Sequence, residues 1–248
     1  MKALKYFLIF FILAASLFAF YLYLGLHTKA QTQKTQNISF VSKEIKKENT
    51  NPDYILDVTY PQVENVSAKE KINSLLQSEV EKNIADFVKN VDDVQIFKGA
   101  ATSSFSLHFE PALIGPKILS IRLNYSQYSA GAAHPISFIH PFNYLLNEQK
   151  KIEKLSDVFT NVSSTLSVLS SLSQKDLKKQ FGEDYEFMKD TIENGTAPKE
   201  ENFQNFIFEK ENFVIIFNPY EVAPYAAGIL EVKIPYSELR SFFRQNFL

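Results

Sequence analysis

Residues 6–26 (YFLIFFILAASLFAFYLYLGL) contain no charged side chain, and about 20 consecutive apolar residues are what an α-helix needs to cross a hydrocarbon core. The run predicts an N-terminal transmembrane anchor, with residues 1–5 as a short cytoplasmic tail carrying Lys2 and Lys5. A cleavable leader is the competing reading; its apolar core runs about 7–15 residues ahead of small-residue cleavage positions. Here the run is longer, Leu17-Phe18-Ala19 places a bulky residue where a small one is wanted, and Thr28-Lys29-Ala30 lies beyond the helix. The uncleaved anchor is the expectation. Lys2 and Lys5 weighed against Lys29 and Lys34 favour the N-terminus inside, giving a single-pass cell-membrane protein whose C-terminal domain lies outside the cytoplasm.

Residues 27–50 are polar and rich in Gln, Lys and Thr. They cannot repay the entropy of ordering by burial and are expected as a disordered tether. The folded part is then residues 51–248, in two subdomains, 51–130 and 131–248. Seven of the 26 Lys+Arg but two of the 28 Asp+Glu fall in residues 1–50, which leaves residues 51–248 with a formal charge of −7. That balance suits a basic partner, and the whole chain's formal charge of −2 without a basic face argues against a generic nucleic-acid binder. The absence of Cys removes thioether lipid anchoring, disulfides, cysteine-ligated metal centres and thiol nucleophiles.

Hydrophobic period gives the elements. A strand is expected over 54–60, stopped by Pro61. Ser67 as N-cap with Glu70 three residues on opens a helix whose Ile72, Leu75, Leu76, Val80, Ile84, Phe87, Val88 and Val91 recur at helical spacing. Alternation over 104–109 and 118–128 reads as a hairpin, and 136–146 as a further strand. A helix over 163–182 closes on Gly182 and a second occupies 183–194. Strands follow at 203–208, 212–217 and 230–234, then a closing helix over 236–247. The fold class is α+β: antiparallel sheets with packed helices in two related subdomains, preceded by one transmembrane helix.

No nucleophile elbow, phosphate loop, dinucleotide fingerprint or zincin motif is present. His134 and His140, with His108 from a neighbouring strand, form the one constellation that could hold a catalytic metal, opposed by His134 as a turn residue. No cofactor is expected. Asp157 reads as a cap or turn acceptor. The five N-x-S/T triplets, at Asn37, Asn65, Asn124, Asn161 and Asn194, read as coincidence. The segment 219–228 (PYEVAPYAAG) sets two Pro-Tyr pairs before a Gly between two strands. It predicts a rigid loop of apolar faces with hydroxyl tips, suited to an interface or to packing on its own sheet. Tyr220, Glu221, Tyr225 and His134 are the candidate ligand-binding residues.

Those residues carry a resemblance. Tyr60-Pro61, Ile72-Asn73, Tyr128 with Gly131-Ala132-Ala133-His134, Phe142-Asn143-Tyr144, Leu155-Ser156-Asp157-Val158-Phe159, the 219–228 segment and Ile234-Pro235-Tyr236 with Leu239 resemble a family of bacterial extracytoplasmic domains of unknown function. That family is shared by the ectodomain of RsiV-type lysozyme-sensing anti-sigma factors and the accessory domain of PdaC-type peptidoglycan deacetylases. The chain departs from its pattern at Pro135 and at 147–150, where a Thr-Gly-Lys-like turn is usual. The resemblance implies a cell-envelope binding module whose partner is a basic protein such as lysozyme or a wall component such as peptidoglycan. With an expected cytoplasmic tail of five residues, no sigma-binding role is expected to carry over, and deacetylation is expected to belong to a separate catalytic domain. The alternative is an envelope hydrolase or deacetylase with the histidine metal site.

Overall fold

The computed structural model describes residues 37–93, 101–245 and 247. The expected tail and anchor, 1–26, lie outside them, as does 27–36 of the tether. Among the described residues no helix is long and apolar enough to cross a membrane.

Strands β1 (Ser39–Thr50) and β2 (Asp53–Glu64) form a hairpin, followed by α1 (Lys69–Asp93), β3 (Ser103–Ile114), β4 (Ile118–Tyr128), β5 (Ile136–Leu145) and β6 (Lys150–Ile152). They make one six-stranded sheet in sequence order. Every neighbouring pair is antiparallel except β2–β3, which is parallel because α1 carries the chain back to the starting end. One βαβ unit therefore sits in a sheet expected to be wholly antiparallel.

The α1 stripe of Ile72, Leu76, Val80, Phe87 and Val91 is buried against one face of this sheet, where Leu56, Val58, Phe105, Leu107 and Tyr125 share its core. After Val58 the parallel ladder ends, and β2 runs on through Pro61, opposite Ser42. Proline is tolerated there because β2 has only one strand partner beyond Val58. The α1 residue Asn73 closes the open side: its Oδ1 accepts from Val63 N at 2.7 Å and its Nδ2 donates to Val63 O at 3.1 Å.

The second part comprises α2 (Val162–Phe181), α3 (Tyr185–Gly195), β7 (Phe206–Phe208), β8 (Asn212–Phe217), β9 (Leu230–Pro235) and α4 (Tyr236–Leu239). Asn161 caps α2 by accepting from Ser164 N at 3.0 Å, and Gly182 ends it at φ 55°. The three-stranded antiparallel sheet β7-β8-β9 is apolar on both faces because both are covered. Phe206, Phe208, Phe213, Ile215 and Phe217 share a core with Leu169 and Leu177 of α2. Ile207, Val214 and Ile216 pack on Ile139 of the large sheet. The layers are thus helix, large sheet, small sheet, helices. Asn143 rivets the two sheets: it accepts from Ser120 Oγ at 2.5 Å and donates to Phe206 O at 2.7 Å, while Phe208 N donates to Ser120 Oγ at 3.1 Å.

Four expectations are corrected. The tether is strand from Ser39 onward: β1 pairs along its whole length with β2, so backbone hydrogen bonds order a segment whose side chains are mostly exposed, which a burial argument from composition cannot detect. The boundary at 130/131 falls inside the six-stranded sheet, since β5 and β6 belong to it. The two parts are not repeats, one holding a βαβ unit and the other a three-stranded meander. The closing helix stops at Leu239, because Phe243 forms a β-bridge with Phe159 and Arg244 N donates to Val158 O at 2.9 Å, which a continued helix would forbid.

Candidate functional site

The segment after β8 turns on Asn218. Its Oδ1 accepts from Ile139 N at 2.8 Å and its Nδ2 approaches Ile139 O at 3.4 Å, closing the free edge of β5 as Asn73 closes β2. Val222 and Ala223 are buried, and the Glu221 carbonyl lies against Gly195 at the end of α3, where a Cβ would stand 1.9 Å from that oxygen. Only glycine allows this approach. A 3-10 turn over Tyr225–Ala227 ends at Gly228, φ 69°.

These anchors present an aromatic platform. The Tyr225 hydroxyl donates to Pro135 O at 2.7 Å, and its ring stacks on His134 with centroids 3.7 Å apart and planes at 21°. Tyr220 lies 6.1 Å from Tyr225. It is 58% exposed and adopts φ 74°, a left-handed conformation that costs a non-glycine residue about 1–2 kcal/mol. Its N–H donates to Ala223 O at 3.0 Å, which holds it there.

Three of the four candidate ligand residues, His134, Tyr220 and Tyr225, are thus brought together. The fourth, Glu221, is exposed, and its Oε2 accepts from Asn218 N at 2.7 Å. Partial burial of that carboxyl pushes it up, and the bonds from Asn218 work in the opposite sense. The bond to Oε2 also makes Glu221 part of the turn at Asn218. Asn218 and Gly195 were not among the sequence candidates; Asn218 directly precedes the Pro-Tyr segment, whereas nothing local marks Gly195.

The three histidines do not converge. His108 pairs with Asn124 and through it with Ile139, whereas His140 pairs with Leu123 and Phe109. The one-residue offset sends them to opposite faces of the sheet. His140 packs edge-on against Tyr125 and Phe138, and burial pushes its imidazole down. Among the described residues no group of three His, Asp or Glu is placed to hold a metal ion. Asp157 is a turn acceptor. Burial would raise its carboxyl, but hydrogen bonds from Lys150 and from the Glu153 and Lys154 N–H groups outweigh burial and hold it below the ordinary carboxylate range.

This arrangement defines a class: an α+β domain of two stacked sheets between helices, with an exposed aromatic loop pinned to a sheet edge. Residues 45–137 match the family described as deacetylase PdaC, and residues 156–237 the family described as protein of unknown function DUF3298. Over 191 residues, 77% of this chain, the sequence is 26% identical to the peptidoglycan-N-acetylmuramic acid deacetylase PdaC of Bacillus subtilis, and it spans 39% of that protein. A DUF3298 family structure from Bacteroides fragilis is 21% identical with TM-score 0.64, and one from Pseudomonas aeruginosa is 16% identical with TM-score 0.60; each match covers 86% of this chain and 96% of the other. Two stretches of the chain thus match family models shared with PdaC-type proteins, and the fold is that of the two DUF3298 structures.

Proposed function

We propose that the chain is a binding module of the bacterial cell envelope, held at the membrane through residues 6–26, whose platform of His134, Tyr220 and Tyr225 recognises peptidoglycan. The observation that carries this reading is Tyr220: an exposed aromatic side chain kept in a strained backbone conformation beside a stacked aromatic pair. Strain of this kind persists only where the surrounding structure enforces it, and it gathers at binding sites. Exposed tyrosines give rigid contact area with a polar tip at low entropic cost. The name of the Bacillus subtilis relative supplies the ligand class, since that protein is a peptidoglycan-N-acetylmuramic acid deacetylase. The charge of −7 over residues 51–248 keeps a basic protein such as lysozyme as the competing partner.

The test is co-sedimentation of the full-length protein with purified insoluble peptidoglycan, with a parallel titration against lysozyme. Wild type should pellet with the wall, and Tyr220→Ala combined with Tyr225→Ala should remain in solution while folded. Retention of the double variant on the wall would remove the platform from the reading. Saturable lysozyme binding without wall binding would transfer the module to the protein partner.

A further inference from the structure

The small sheet ends on β9, whose outer edge has no strand partner among the described residues. On α2, Leu172, Lys175, Asp176 and Lys179 recur at helical spacing and line a groove of about 510 Å³ whose other wall is the Val232–Pro235 edge. A second stretch, of about 630 Å³, continues it past Gln180 to Ile229 and Ile139. Ile139 is the residue pinned by Asn218, so the groove opens beside the loop that carries the platform.

Two features point to an occupant. The first is the strand edge. Elsewhere Asn73 on Val63 and Asn218 on Ile139 close single stretches of open strand edge with side-chain amides, and on β9 Gln180 donates to Glu231 O at 2.9 Å. Strand alternation puts the Lys233 N–H and C=O on that same outer side, where among the described residues no side-chain amide closes them. The second is charge. Among the lining groups, Glu231 pairs with Arg122 and Lys233 with Glu209, while Asp176 accepts from the neutral Gln180 amide and keeps its charge. Lys178 lies over the Tyr185 ring at 5.0 Å, and Glu238 sits at the far, Pro235 end. Lys175 and Lys179, one helical turn apart, have no ion pair or hydrogen bond among the described residues. Their ammonium groups flank an apolar floor and an open strand edge, which is the complement of an extended peptide bearing carboxylates.

We infer that the α2–β9 groove takes the acidic stem peptide of peptidoglycan while the platform takes its glycan; this rests on the reading of the chain as a wall-binding module. From Pro135, which accepts the Tyr225 hydroxyl, to Ile139 at the mouth of the groove is about 13 Å along the chain at ~3.3 Å per residue.

The experiment titrates the full-length protein with a disaccharide-tetrapeptide fragment, with the same glycan after enzymatic removal of the peptide, and with poly-L-glutamate. Lys175→Gln with Lys179→Gln should weaken binding of the intact fragment about tenfold, the loss expected for one charge-assisted hydrogen bond, and leave the peptide-free glycan unchanged. Lys175→Arg with Lys179→Arg should retain binding, and both variants should keep the wild-type unfolding midpoint. Equal loss for both glycans, or no loss at all while Tyr220→Ala still weakens binding, would overturn the groove and leave the platform standing. Wild type that binds neither glycan would sink the wall reading and the groove with it. Poly-L-glutamate bound more tightly than the fragment would assign the groove to an acidic protein segment and overturn the stem-peptide inference.

Discussion

The His134 imidazole and the Tyr225 phenol lie face to face, centroids 3.7 Å apart, and one carbonyl ties them together: Pro135 O accepts the Tyr225 hydroxyl at 2.7 Å and lies 3.0 Å from His134 Nδ1. The turn before β5 and the loop after β8, far apart in sequence, thereby become one rigid surface. Replacing Tyr225 by Phe keeps the ring and removes the tie. Tyr225→Phe should lower stability by about 1 kcal/mol, the net worth of one hydrogen bond, and weaken ligand binding less than Tyr225→Ala does. Denaturant unfolding and a binding titration check the two halves separately.

Tyr220 at φ 74° separates strain from function. Tyr220→Gly should be more stable than Tyr220→Ala by about 1 kcal/mol, because glycine adopts the left-handed conformation without the Cβ clash. Both variants should lose binding alike. A Tyr220→Gly protein that binds as wild type does would show that backbone shape, not the ring, is what the partner reads.

Gln149, φ 49°, occupies the turn between β5 and β6. Gln149→Gly should raise stability by about 0.5–1 kcal/mol by relieving a left-handed non-glycine residue, without effect on binding, and scanning calorimetry reads the shift.

Gly195→Ala should cost about 2–3 kcal/mol or more, since a Cβ 1.9 Å from Glu221 O forces either α3 or the loop to move. Binding should fall along with stability, because the loop carries the platform. An unfolding midpoint equal to wild type would contradict the close approach.

Asp157 makes stability depend on acid. Its carboxyl lies below the ordinary 3.8 in the folded protein, so the unfolded chain takes up the proton first as pH falls. The stabilisation is present above 3.8 and is lost as pH drops through the lowered value. Asp157→Asn should destabilise at neutral pH by about 1–3 kcal/mol and flatten the acid limb of the stability curve. An acid limb unchanged in the variant would assign it to other carboxylates.

Much of the fold was legible because the segments obey one period each. The α1 stripe, the β3–β4 hairpin and the β8 run, 212–217, follow from spacing alone. β1 did not, because strand pairing needs no side-chain burial and the segment reads as solvated Lys and Glu. The closing helix misled because Phe242, Phe243 and Phe247 suit a helical face as well as an irregular packed tail, and only the bridge to Phe159 decides between them. Within the site, the tyrosines stood out by composition. The roles of Asn218, Gly195 and the Lys175–Lys179 pair rest on contacts between segments distant in sequence.

The most direct measurement is calorimetric titration of the full-length protein with soluble peptidoglycan fragments, with wild type and the Tyr220→Ala, Tyr225→Ala double variant side by side. The platform predicts saturable binding by wild type and at least about tenfold weaker binding by the folded variant, the scale of losing aromatic contacts at the centre of an interface. Equal affinities for the two proteins, or no heat of binding from wild type, would contradict it.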